Sequence, residues 1–159
     1  MKHLVTILLL AFTITINAQE KPSLEETLNW IKSKVEAYPS CGGICYEADV
    51  SIDLNKKEIS INYLSNLNNR IIYTIPLRYL NSQGYSYTRN FLFTIKTHGN
   101  KVKKYEISSS GIRTTEYNSV AYLVFDDGKF QEENLEKRLK EAFNHACLLS
   151  GGTVTKEVF

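Results

Sequence analysis

Residues that commonly build active sites are scarce in this 159-residue sequence, which has three cysteines, three histidines, three prolines and one tryptophan. His98 and His145 are the only histidines beyond the N-terminal apolar segment, and they stand far apart in the chain. No His-x-x-x-His or comparable zinc spacing arises from them. The sequence holds no G-x-S-x-G, no phosphate-binding loop and no dinucleotide fingerprint. Three cysteines are too few for a disulfide scaffold. Neither sign of charge dominates: 19 Lys and Arg stand against 17 Asp and Glu, a formal net charge of +2. That balance argues against a nucleic-acid partner, which needs a strong basic field, and against a disordered, charge-rich tail. No catalytic residue, metal ligand or cofactor is assigned.

The longest apolar run lies at the start. Lys2 gives a short basic region, and Leu4 to Ile16 follow as 13 residues without a charge. Small Ala18 marks a cleavage point that would expose Gln19. A run of that length is too short for a bilayer, which takes about 20 residues. Residues 1–18 therefore read as a signal peptide. The mature chain, residues 19–159, reads as a single exported α+β domain, periplasmic or secreted, with no stable membrane insertion after cleavage.

Ser23-Leu24-Glu25-Glu26 is a capping-box pattern, and Leu24, Leu28, Ile31 and Val35 form one apolar stripe on the helix it opens. Pro39 stops that helix. From Tyr46 to Leu54 apolar and polar residues alternate strictly, as in a half-buried strand, and Ile59, Ile61 and Tyr63 repeat the pattern after Asn55-Lys56-Lys57. A third strand spans Ile71 to Ile75, and the irregular segment Arg78 to Arg89 separates it from a fourth, Phe91 to Thr97. A fifth begins at Val102, where a slip in apolar parity toward Tyr105 and Ile107 predicts a bulge or bend. A short sixth covers Ile112 to Tyr117, and Ser119 to Phe125, apolar on both parities, predicts a strand covered on both faces. Asp126-Asp127-Gly128 reads as a turn before a closing helix from Gln131 to Ser150. Leu135, Leu139, Ala142, Phe143 and Ala146 form its stripe, Glu133/Lys137 and Glu136/Lys140 its ion pairs, and Gly151-Gly152 its cap.

The expected fold is thus α+β: an N-terminal helix, six or seven antiparallel strands forming a curved sheet or barrel, and a C-terminal capping helix. This order resembles the pleckstrin-homology-like barrel. Leu135 to Gly152 (LEKRLKEAFNHACLLSGG) and Arg70 to Leu80 (RIIYTIPLRYL) are similar to segments of small exported bacterial proteins of uncharacterised function, and the likeness covers about residues 45 to 152. Phosphoinositide-binding members of that fold use basic residues on the first two strands and their loop. Lys56 and Lys57 stand here, but Glu47, Asp49, Asp53 and Glu58 flank them and would repel a phosphorylated headgroup. The resemblance therefore implies a fold, not a ligand.

Candidate chemistry is sparse. Cys41, Cys45 and Cys147 allow one disulfide and one thiol in an oxidising compartment, with the pairing undetermined. His145 and Cys147 are two apart on a helix and point to different faces, which argues against a thiol–imidazole pair. Glu47 and Asp49 share a strand face about 7 Å apart, but nothing suggests the burial that would split their pKa values. Tyr79, Tyr85 and Tyr87 cluster on the long connection, where exposed rings stack on a sugar or anchor a protein. The reading these features favour is a non-catalytic binding or protein-interaction domain meeting an unknown protein or small ligand. A small-ligand carrier with a cavity between sheet and helices is the first alternative, and an unrecognised small hydrolase with candidates Glu47, Asp49, His98 and His145 is the second. Exported protein is expected to begin at Gln19. Intact mass and N-terminal sequencing check this, and retention of residues 1–18 would contradict it.

Overall fold

The computed structural model describes residues 21–38, 46–88, 92–132 and 134–155. Helix α1, Leu24–Ala37, opens as its capping pattern predicts: Ser23 Oγ accepts the Glu26 N–H at 3.2 Å, and the Glu26 carboxylate accepts the Ser23 N–H at 2.7 Å. The Ser23 N–H foremost, and then the Ser23 hydroxyl, which donates to the same carboxylate at 2.9 Å, hold the Glu26 carboxyl below its ordinary value. Leu28, Ile31 and Val35 on its stripe are wholly buried. At roughly 1.5–3 kcal/mol for each such side chain, burial outweighs a cap of about 1 kcal/mol in holding the helix.

Eight antiparallel strands follow in two open sheets. β1 (Tyr46–Asp53), β2 (Glu58–Ser65), β3 (Arg70–Pro76), β6 (Val102–Ile107) and β7 (Arg113–Asn118) form a five-stranded sheet in the order β1-β2-β3-β6-β7. β4 (Ser86–Thr88), β5 (Leu92–Lys96) and β8 (Val120–Val124) form a three-stranded sheet in the order β4-β5-β8. The expected α+β class is met, but the sheets do not close into a barrel. Six or seven strands become eight because the long connection holds a 3-10 turn, Leu77–Tyr79, and the three-residue β4. That connection ties the sheets together through Leu80 bridging to Thr97 and the His98 N–H donating to Tyr79 O at 2.8 Å.

Two strand expectations are corrected. β6 keeps one unbroken register with both neighbours, so the parity slip is no bulge. Val102 faces the core, whereas Tyr105 and Ile107 sit on the sheet's other face. β8 is covered mainly on one side: Ala121 and Leu123 are buried, but Tyr122 is 41% exposed, since β8 lies at a sheet edge with helices over one face only.

The closing segment is two helices, α2 (Asp127–Glu132) and α3 (Leu135–Leu149), broken where Asn134 adopts φ 50°. Asparagine tolerates that left-handed backbone, which ends α2 and lets α3 start in a new direction. Asp127 and Gly128 open α2 rather than forming a turn, with the Phe130 N–H on Asp126 O at 3.0 Å. Glu136 and Lys140 pair at 2.7 Å; Glu133 lies outside the described residues, as does Pro39. Gly151, at φ 86°, and Gly152 end α3 as predicted, and a side chain at Gly152 would meet Cys147 Sγ at 2.4 Å. Ala142 is only half-buried, because it faces a groove between α3 and α1.

One apolar core fills the space between sheets and helices. Phe93, Phe125, Phe130 and Phe143 are its largest members, none more than 2% exposed. Two buried tyrosines differ in what their hydroxyls meet. Tyr63 Oη accepts the Val124 N–H at 3.1 Å, joining the two sheets. Tyr85 Oη has no hydrogen-bond partner among the described residues. A buried polar group left unpaired costs about 1–3 kcal/mol. Tyr85→Phe is therefore expected to raise stability by about 1 kcal/mol, and Tyr63→Phe, which orphans the Val124 amide, to lower it by about 1–2 kcal/mol. Urea unfolding of both variants checks the opposite signs.

Candidate functional site

Strand alternation gives the five-stranded sheet two faces, and only one meets the helices. Val50, Ile59, Ile61, Tyr73, Ile75 and Val102 point into the core. The ladder registers align the residues between them on the outer face. Ser51 pairs with Ser60, Ser60 with Thr74, Thr74 with Lys103, and Lys103 with Tyr117, one polar row across all five strands. A cleft of about 490 Å³ lies along this row.

Its polar groups are arranged by charge. Asp53 and Glu58, with Lys56 paired to Asp53, lie at the β1–β2 end, Lys101 and Lys103 at the β6 end, and the hydroxyls between them. Ser60 Oγ and Thr74 Oγ1 are hydrogen-bonded at 3.0 Å, so the middle of the row is preset. The Lys56 N–H donates to Asp53 Oδ1 at 2.9 Å, and the Lys56 ammonium stands 3.3 Å from Oδ2. The backbone bond foremost holds the Asp53 carboxyl below its ordinary value. Tyr117, 63% exposed, offers a bare aromatic ring at the β7 end.

The three tyrosines singled out in the sequence do not share a surface. Tyr85 is only 7% exposed and packs against both Phe93 and Phe143, each centroid 6.1 Å away, so its ring is core. Tyr87 stacks on Phe130 at 4.0 Å beside a separate small cleft. Tyr79 is half-buried with the Arg78 guanidinium 4.6 Å and the Lys101 ammonium 5.2 Å from its ring centroid. Through Lys101 it alone of the three adjoins the sheet-face cleft.

Residues considered for catalysis are scattered. Glu47 and Asp49 are exposed on β1, and His98 is exposed in the β5–β6 turn. His145 Nε2 is hydrogen-bonded to Pro22 O at 2.7 Å, in a groove of about 540 Å³ between α1 and α3. That groove has Trp30 in its wall, but the Arg138 guanidinium covers the ring at 5.1 Å and Glu26 is engaged with Ser23. Cys147 is a buried thiol whose Sγ lies 3.8 Å from Leu80 O, and burial foremost pushes its pKa up. Among the described residues no group of three or more His, Cys, Asp or Glu is placed to hold a metal.

Sequence reasoning passed over the polar row because single serines and threonines on a wet strand face carry no motif. One signal was present: the tight turn at Asn55–Lys57 sets the hairpin register and already pairs Ser51 with Ser60. The share of β3 and β6 depended on a long-range pairing. No family model, curated protein or solved structure matches this chain.

Cys41 and Cys45 lie outside the described residues. Trp30 beside Arg138 and Pro22 beside His145 show that α1 and α3 run antiparallel. Cys147 and Tyr38, the last described residue after α1, are therefore at opposite ends of the helix pair, about 25 Å apart along the axes at 1.5 Å per residue. Cys147 is expected to resist a thiol reagent in the native protein, to react on unfolding, and to form no disulfide. Peptide mapping that recovers a Cys147 disulfide would refute this.

Proposed function

We propose that this chain is an exported, non-catalytic interaction domain that binds a protein partner on the outer face of its five-stranded sheet. One observation carries the reading: a charge-ordered polar row crosses every strand on a face that no described element covers. A partner matching it presents basic groups against Asp53 and Glu58 and acidic groups against Lys101 and Lys103. Tyr117 is the aromatic anchor, a residue type that contributes disproportionately at interfaces. The hydroxyl row supplies donors and acceptors for recognition, with Ser60 and Thr74 already hydrogen-bonded to each other.

Support for export comes from the N-terminal segment, and no helix among the described residues is long and apolar enough to cross a membrane. The strand meander followed by a closing helix is the point of likeness to pleckstrin-homology-like domains, from which the open sheets depart. The carrier alternative placed its cavity between sheet and helices, where phenylalanines fill the space.

Charged groups at the margin of an interface govern association rate and salt dependence more than residence time. Glu58→Lys combined with Lys103→Glu abolishes the acid-to-base order and leaves the Asp53 turn intact. Native protein and this double variant, immobilised and exposed to the exported protein fraction, are expected to differ: the native partner is lost, and its capture falls with rising salt. Lys137→Glu on α3 serves as the control and is expected to retain it. The same captured set for all three proteins would remove the sheet face from consideration.

A further inference from the structure

Every sheet edge presents main-chain N–H and C=O groups that need a partner or water. The ladder alternation shows which residues offer them. On β1 the even-numbered residues face outward, and α1 meets the edge at Val50: its N–H donates to Glu36 Oε1 at 2.8 Å and its C=O accepts from Lys32. On β8 the Val124 N–H is taken by Tyr63 Oη, and beyond it the Asp126 N–H donates to Tyr38 O at 3.3 Å. β4 is only three residues long. β7 differs: its first five residues are all exposed, it contains no proline, and its register with β6 has no bulge.

The outward groups of β7 follow from its pairing. The Ser108 N–H donates to Ile112 O at 2.9 Å, in register with the ladder that pairs Ile107 with Arg113. Bonded pairs alternate from there, so Thr114, Glu116 and Asn118 bond to β6. Arg113, Thr115 and Tyr117 turn their N–H and C=O to the open edge, and none of the described residues meets them.

We infer that β7 is the pairing edge of a homodimer, in which two copies join antiparallel about a two-fold axis through Thr115 into one continuous sheet. A two-fold axis normal to the sheet keeps like faces together, so outward-directed groups must pair with outward-directed groups. Centred on Thr115, this places Arg113 opposite the partner's Tyr117 and Thr115 opposite the partner's Thr115. All the edge groups of the strand then exchange hydrogen bonds. The same register sets the guanidinium against an aromatic ring on one face and Glu116 against the partner's Thr114 on the other. Moving the axis to Glu116 would oppose two carboxylates, and moving it to Thr114 would shorten the overlap. The strand thus meets itself with every edge hydrogen bond paired, no like charges opposed and each guanidinium against a ring, which favours a second copy over an unrelated strand. The main-chain pairing of this edge does not rest on the outer-face reading, although the two share Tyr117, which lines the cleft and faces the second copy's Arg113.

Sedimentation equilibrium over a wide concentration range tests it with two variants. Thr115→Lys opposes two ammonium groups at the axis, and Thr115→Pro removes an N–H that the monomer's own ladder does not use. Each is expected to weaken dimerisation at least about tenfold, the scale of like charges directly opposed or a lost ladder bond. Circular dichroism verifies the fold, and Thr115→Lys decides alone should the proline variant not fold. Residue-resolved amide exchange adds an alternating signature: protection at Arg113, Thr115 and Tyr117 rises with concentration, while Thr114, Glu116 and Asn118 are protected throughout. A native protein monomeric into the millimolar range, or a dimer indifferent to both variants, overturns the inference. So does a dimer whose β7 edge amides gain no protection.

Discussion

A β-strand carries hydrogen-bonding groups on both sides of its backbone, and a group that finds neither a neighbouring strand, a side chain nor water costs the fold free energy. Most of this architecture can be understood from how that demand is met at the edges. The Lys32–Glu36 pair of α1, 3.0 Å apart, serves Val50 on β1 and so docks the first helix beside the first strand. Tyr63 and Tyr38 serve the segment around β8 and so bring the smaller sheet against the larger one. The connection after β3 joins the sheets through the same kind of bond, at Leu80, Thr97 and His98. β7 is the edge of the larger sheet whose outward groups meet none of the described residues.

These edge contacts also explain the distribution of polar and apolar surface. Helices that reach around β1 and over the inner faces concentrate apolar burial on one side of the five-stranded sheet. The other side then keeps its serines, threonines and charges in water, sorted from acids on β1 and β2 to bases on β6. The aromatic residues divide accordingly. Phe93, Phe143 and Tyr85 stack inside, and Tyr117 stands outside. The Tyr85 hydroxyl has no partner among the described residues, and its ring packs against Phe93 and Phe143.

Local patterns were legible in the sequence wherever a single element carried its own period. The capping box at Ser23, the β1–β2 hairpin and the glycine ending of α3 all follow from short-range rules. Expectations failed where a distant neighbour decided the outcome. Tyr105 and Ile107 imitated a bulge because their apolar side chains lie on the wetter face. Val120, Tyr122 and Val124 imitated a doubly covered strand, although β8 is an edge. Tyr85 sat in a segment that read as an exposed loop, and Phe93 and Phe143, from a later strand and the last helix, enclosed it.

The sequence by itself determined the α+β class, the order of most elements and which side of each strand is apolar, because the periods of 2.0 and 3.6 are properties of neighbouring residues. Only the tertiary structure decided that β3 pairs with β6, that the strands divide into two open sheets, and which edge is covered. Those outcomes join residues tens of positions apart, and their selection depends on packing and edge satisfaction that no local pattern encodes. The polar row from Ser51 to Tyr117 belongs to this second group: its side chains are individually ordinary, and the long-range register makes them one surface.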